Sequence, residues 1–448
     1  MGLTNDKPLR PDQVNDHSQV TDESVLKRER VKFGLGTVLY QSEETGLGGV
    51  PTAIIRSLGG DDRHIGIFGC VNGLTSLFQW IGTLLIRRCK SNRKAMIVSM
   101  ALGLSVASLI AASILFSSFS WFSGYSLWCY LGFSLLLAVI GGVQWNIESS
   151  WIGDLVPKHR LGWFTSVKWF IGVAGIFVFM NLIGRVCDRW PSPQGYSSVY
   201  IMFAGSFFVA TFLYKSVTDR TPKSALFFSK GASNSERLNY RSNALWCYIA
   251  FYVLWAGGRT MLFTFWGAYL IDAFKFSMTK VAWMLSVQYM VSCIMVLVMG
   301  RFTDRTGHRI PLIIVTAIVG ASMGLWVASA WFGVITIVIF QILNGAAGHT
   351  HSMLAINFGL EIFPDKGRSG YLAFSRIFIG VIAILMPVLA GRIMFRLHDF
   401  HYALWGAILT KYHVLFILST IVTLCASVPL VIIGNRRVDA ASASESIA

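Results

Sequence analysis

The sequence predicts an all-α integral membrane protein, with twelve transmembrane helices arranged as two pseudo-symmetric six-helix bundles. Three observations predict it. Hydrophobic residues fill 54% of the 448 positions and charged residues only 13%, a balance that excludes an ordinary soluble globule. Uncharged apolar runs such as Ala95 to Phe116 and Val414 to Gly434 exceed the roughly 18 residues that mark a spanning helix, which pairs its own backbone where hydrocarbon offers no partner. Finally, a stretch in the first half of the chain repeats at the same place in the second.

Taken in order, residues 1–32 are polar and read as a disordered cytoplasmic tail, whose "LKRERVK" end lies at the membrane surface. With no apolar core in that tail, the first helix is expected to act as its own insertion signal. Helices are predicted over 34–57, 65–87, 95–117, 125–150, 162–185, 197–215, 244–271, 279–301, 310–331, 333–356, 370–394 and 412–434, the first and seventh being the least hydrophobic. The most polar long connection divides them, so the bundles run over 33–214 and 244–434, joined by a cytoplasmic loop at 215–243 and followed by a cytoplasmic tail at 435–448.

Charge sets the orientation. With both termini in the cytoplasm, 26 of the 38 Lys and Arg residues fall on that side, 9 on the other, and Lys168, Arg259 and Arg376 lie within helices. The positive-inside rule favours this arrangement, and it accounts for most of the +16 net charge without a nucleic-acid partner. The seven cysteines are scattered and mostly intrahelical, which suits apolar packing and neither a disulfide framework nor a metal site. Compact loops and the absence of an Asn-X-Ser/Thr acceptor suit a bacterial inner membrane.

The repeat lays "GDLVPKHRLGWFTSVKWFIGVAG" from Gly153 on "LEIFPDKGRSGYLAFSRIFIGVIA" from Leu360. Asp154 then meets Glu361, Pro157 meets Pro364, and after one inserted residue Lys168 meets Arg376. Parallel six-helix repeats about an axis along the membrane normal place a solute site between the halves near mid-membrane.

Between helices 8 and 9 stands "GRFTDRTGHR", with Gly300, Asp304, Arg305, Gly307, His308 and Arg309 spaced as a glycine, an acid four residues on, a base, a glycine and two more bases. This loop resembles the signature cytoplasmic loop of the major facilitator superfamily. The resemblance spans about 34–434 and joins helix count, central loop, repeat and motif. It implies that the loop latches neighbouring helices in one state of a transport cycle, with Asp154, Glu361, Lys168 and Arg376 as further latch candidates. The corresponding first-half loop, "GTLLIRRCKSNRK", keeps Gly82, Arg87 and Arg88 but has Ile86 in place of the acid and Cys89 in place of the second glycine.

A charge inside a spanning helix costs about 2.5–3.5 kcal/mol on insertion scales and calls for a partner or a wet cavity. Gln41, Glu43 and Glu44 lie near the middle of helix 1, and Arg259 lies at the middle of helix 7. The resemblance implies that these helices meet at the pseudo-symmetric interface, so an acid and a base would share one cavity. Gln41 and Glu44 fall on one helix face and Glu43 on another; a buried carboxyl would be raised toward neutrality and could carry a proton, whereas Arg259 would keep it ionised, or the pair would form a fixed lock. On helix 4, Gln144 and Glu148 stand one turn apart; on helix 10, Asn344, Gly348 and His351 share a stripe, with His349 turned away. Trp145, Trp255 and Trp266 are the tryptophans placed to form stacking walls.

No P-loop, nucleophile elbow or zinc motif is present, so no enzymatic activity and no cofactor is expected. Helices 4 and 5 lack the arginine and the glycine-proline run of the superfamily's drug-proton antiporters. The expectation is a monomeric secondary transporter in a lipid bilayer, moving a small polar or anionic organic solute by alternating access with proton coupling. The alternative is a non-transporting relative that serves as a membrane receptor or assembly factor.

Overall fold

The structure, a computed structural model, describes residues 23–433 apart from 47–48, 157, 191, 220–238, 307 and 364–367, with the side chains of some further intrahelical residues also outside the description. Span 1 is α1 (Glu23–Gly46) and α2 (Val50–Ser57), and span 2 is α3 (Asp62–Phe68), α4 (Val71–Leu77) and α5 (Trp80–Cys89). The first bundle is completed by α6 (Asn92–Leu115), α7 (Ser120–Leu155), α8 (Lys158–Arg189) and α9 (Gln194–Lys215). The second consists of α10 (Asn243–Asp272), α11 (Met278–Thr306), α12 (Arg309–Phe332), α13 (Val334–Ile362), α14 (Arg368–Arg396) and the pair α15 (Lys411–Cys425) and α16 (Ser427–Ile433).

Seven of the described helices are long and apolar enough to cross a membrane alone, and the bent segment Asp62–Cys89 makes an eighth. Spans 1, 7, 8 and 10 carry polar side chains into the interior instead, among them Thr37, Arg259, Gln288 and Asn344.

Four features depart from the sequence-based expectation. The tail expected to be disordered to residue 32 is helical from Glu23. Its charges find partners: Lys32 Nζ donates to Glu29 at 3.0 Å and to the Ser216 carbonyl, at the end of span 6, at 2.7 Å, while Glu29 and Arg30 are buried. Span 2, expected to be continuous over 65–87, bends by 52° between Leu77 and Trp80. There the Thr75 hydroxyl reaches the Ala138 carbonyl of α7 at 3.1 Å, and a Cβ on Gly142 would lie 2.3 Å from the Thr75 carbonyl oxygen, so side-chain bonding and close approach distort the helix where Ser, Thr and Gly cluster. Helix α11 continues through the motif to Thr306. Between α14 and α15 the chain forms a hairpin of β1 (His401–Leu404) and β2 (Ala407–Thr410), whose Trp405-Gly406 turn has φ of 46° and 81°, the two positive values a tight two-residue loop requires.

The bundles meet on the face opposite the termini, called here the far face. Two seams hold them. In one, α3 and α4 pack on α14 through glycines: a Cβ on Gly66 would lie 2.6 Å from the Pro387 carbonyl oxygen, and one on Gly73 2.5 Å from Ile384 Cγ1 and 2.8 Å from the Gly380 carbonyl oxygen. Small residues allow such backbone approach, which in lipid replaces a hydrophobic drive. In the other, α8 packs on α11, where both Asp188 carboxylate oxygens accept from the first amides of α11 at 2.9 Å and Asn181 donates to Ser286 at 2.9 Å. An ion network crosses the same face. Arg56 pairs with Asp62 and, at 3.4 Å, with Asp272; Lys411 donates to Asp62 at 2.5 Å; and Tyr412 donates to Asp272.

Candidate functional site

The interface between the bundles holds a cavity of about 530 Å³, lined from the first half by Thr52, Phe68, Asn72 and Ser76 among others. The second half contributes Tyr252, Trp255, Arg259, Phe263, Gln288 and Tyr289. A smaller space of about 290 Å³, walled by Tyr40, Gln79, Trp145 and Tyr200, shares Phe68, Val71, Asn72 and Ser76 with it.

Helix α10 explains the central wall. Trp255, Arg259 and Phe263 recur every fourth residue and therefore share one face. The Arg259 guanidinium lies 4.5 Å from the Phe263 ring centroid and 5.6 Å from that of Trp255, so its charge rests on ring faces. From α13, Asn344 Oδ1 accepts from Arg259 Nη1 at 3.2 Å, and His351 stacks on Trp255 with centroids 3.4 Å apart and planes 11° from parallel. Between them lies Gly348, where a Cβ would lie 3.1 Å from Asn344 Oδ1 and in ordinary contact, 3.5 Å, with Arg259 Nη1. Arg259, Asn344 and His351 are thus brought together. None of the ion pairs among the described residues involves Arg259.

Three buried polar atoms of this wall have no hydrogen-bond partner among the described residues: Asn344 Nδ2, His351 Nε2 and Gln288 Oε1. Each belongs to a residue at most 5% exposed. Buried polar atoms are paired in the great majority of cases, so these three mark a wall with hydrogen-bonding capacity to spare.

The helix 4 candidates lie elsewhere. Gln144 donates to the Ser99 carbonyl of α6 at 3.2 Å, a packing bond. Glu148, 1% exposed, accepts from Thr37 at 2.9 Å, from Tyr40, and from Lys168 at 3.1 Å. The pair Glu148 and Lys168 therefore sits inside the first bundle, among α1, α7 and α8, away from Arg259. Lys168 also lies 5.9 Å from the Trp145 ring centroid. Its repeat counterpart Arg376 is exposed.

Of the motif residues, His308 Nδ1 pairs with Glu361 Oε1, and Arg309 donates to the Leu430 and Val431 carbonyls at 3.3 and 3.1 Å, satisfying the end of span 12. In the first half, Asn92 at the start of α6 donates to Asp154 at 2.8 Å, so the two repeat-related acids are each bonded from the start of the preceding span. Gly307 lies outside the described residues, as do the side chains of Gln41, Glu43, Glu44, His349, Asp304 and Arg305; the backbone places Gln41, Glu43 and Glu44 in the last turns of α1 and Gly300, Asp304 and Arg305 in α11.

Sequence reasoning missed the far-face network. Arg56, Asp62, Asp272 and Lys411 all stand at span ends, where a charge reads as an ordinary interface residue; the signal lay in two acids and two bases at the ends of four spans on one face.

Residues 248–447 match the Major Facilitator Superfamily family model. The fold agrees over the whole length. A variant of the nucleoside transporter NupG superposes with a TM-score of 0.70 at 12% identity, covering 92% of this chain and 100% of that one. A D-xylose-proton symporter gives 0.64 at 13% identity, covering 91% and 96%. Over its second half the chain therefore matches the superfamily's model, and it shares the fold of these transporters. An inward-open structure of the xylose transporter XylE from E. coli superposes at 0.59 with 10% identity, covering 91% and 94%. At such identities these structures establish the fold and nothing about the solute. No curated protein matches the chain.

Proposed function

We propose that this protein is a member of the major facilitator superfamily and a secondary transporter that moves a small organic anion by alternating access, with Arg259 as the solute's charge partner. The observation that carries the reading is a guanidinium on the wall of the 530 Å³ inter-bundle cavity, resting on aromatic faces and bonded to Asn344, whose Nδ2 has no partner among the described residues. With the termini in the cytoplasm, the closed far face is the outside and the structure is inward-facing. Opening the far-face seams while closing the opposite side would carry the cavity across. The proton is taken as the coupling ion, with Glu43 or Glu44 as carrier, in keeping with the proton symporter among the similar structures.

A thermal-shift screen of purified protein against sugars, organic acids, amino acids, nucleosides and cationic drugs tests the reading. A ligand at about 100 times its Kd stabilises the folded state by about 2.7 kcal/mol. An organic anion is expected to raise the unfolding midpoint of the parent, less so that of Arg259→Lys, and not at all that of Arg259→Ala. If no solute stabilises the parent, and Arg259→Ala is simply less stable, then Arg259 is a structural lock and a receptor or assembly role replaces transport.

A further inference from the structure

The cavity carries one charged side chain among its described lining residues, and much of its wall is aromatic rings. Phe68, Tyr252, Trp255, Phe263, Trp266 and Tyr289 all line it. Among its hydroxyls, Thr260 donates to the Ala256 carbonyl at 2.8 Å, Thr264 to the Thr260 carbonyl at 2.7 Å, and Ser76 to the Asn72 carbonyl at 3.1 Å. Each spends its single proton on its own helix. Asn72, Gln288, Tyr252 and Tyr289 add neutral polar groups, and among the described lining residues the one fixed charge is Arg259. Arg259 presents a planar fork, and Asn344 Nδ2, beside it and without a partner, supplies a further N–H. Two or more donors at one end of a slot of aromatic faces match a flat molecule with two coplanar acceptor oxygens at one edge.

From this juxtaposition we infer that the solute is an aromatic carboxylate, its carboxylate held by Arg259 and Asn344 and its ring between the Trp255 and Phe263 side and the Phe68 side of the cavity. The inference rests on the anionic-solute reading above and narrows it. Aliphatic anions of equal size would meet the same charge and forgo the ring contacts. Neutral aromatics would meet the rings and forgo the fork.

Three probes of one size separate these contributions: benzoate, cyclohexanecarboxylate and benzamide, titrated calorimetrically into the purified full-length protein. Benzoate is expected to bind about three- to tenfold more tightly than cyclohexanecarboxylate, the range expected of an aromatic pair, and benzamide far more weakly than either. Phe263→Leu should bring benzoate down to the cyclohexanecarboxylate affinity and leave the latter nearly unchanged; Trp255→Leu, which also unstacks His351, serves as the second variant. Arg259→Lys should weaken both carboxylates alike. Equal affinities for benzoate and cyclohexanecarboxylate would overturn the aromatic assignment and leave the anionic reading standing. Benzamide binding as tightly as benzoate would overturn both, and no binding of benzoate at tens of millimolar would overturn the aromatic assignment.

Discussion

Replacing Glu148 by Gln is expected to destabilise the protein by about 3–5 kcal/mol, the usual result of removing one partner from a buried ion pair. Lys168 is 5% exposed and pairs with Glu148 at 3.1 Å. Thr37 and Tyr40 donate to different carboxylate oxygens, so Gln keeps one of these bonds and loses the other together with the ion pair. Lys168→Met should be costly for the same reason, leaving a carboxylate at the meeting of α1, α7 and α8. The double variant Glu148→Gln/Lys168→Met should recover most of the loss, because two apolar or neutral groups of similar volume replace a pair whose desolvation had offset its attraction. Thermal unfolding of the four proteins in one detergent checks this. Single variants as stable as the parent would mean that the pair is hydrated, and that Glu148 belongs with the solute site after all.

The second large effect concerns the far face. Gly66→Ala places a methyl 2.6 Å from the Pro387 carbonyl oxygen and 3.0 Å from Gly391 Cα, against backbone that cannot swing away as a side chain would. Overpacking of this kind costs about 1–3 kcal/mol. Set against a closure balanced between two states, that shifts the population roughly 5- to 140-fold toward the far-open form. Cys70 reports it directly: it is 7% exposed and its thiol lies 3.4 Å from the Ile384 carbonyl oxygen in the closed seam. In a variant with Cys70 as its only cysteine, a membrane-impermeant maleimide should label slowly from the far face and faster by about that factor with Gly66→Ala. An unchanged labelling rate would mean that the seam stays shut and the glycine is not what sets the closure.

Much of this was readable in the chain. Arg259 is a charge in the middle of an apolar run, and Asn344, Gly348 and His351 follow helical spacing, so their grouping needed only periodicity and a choice of facing helices. The repeat aligned Asp154 with Glu361, and both indeed end in hydrogen bonds to the start of a neighbouring span, from Asn92 and His308. What could not be read was pairing across helices. Nothing local distinguishes Glu148, which faces a lysine twenty residues on, from an acid lining a cavity. The helix from Glu23 was hidden because its charges look solvated until Ser216 is seen to receive Lys32. The bend after Leu77 was hidden because its cause, the contact of Thr75 with α7, lies 63 residues away. Local pattern fixes elements and faces, while tertiary contacts decide partners, breaks and extensions.

The central claim is that the cavity at Arg259 is carried across the membrane with its solute. It is tested most directly by flux into proteoliposomes of whichever anion stabilises the protein, comparing parent with Arg259→Lys and Arg259→Ala at matched reconstitution. The account predicts saturable uptake that a proton gradient drives and an uncoupler abolishes, falling with Arg259→Lys and disappearing with Arg259→Ala while both variants remain folded. Binding of the same anion without any flux, in protein whose far face opens normally to the maleimide, would contradict it.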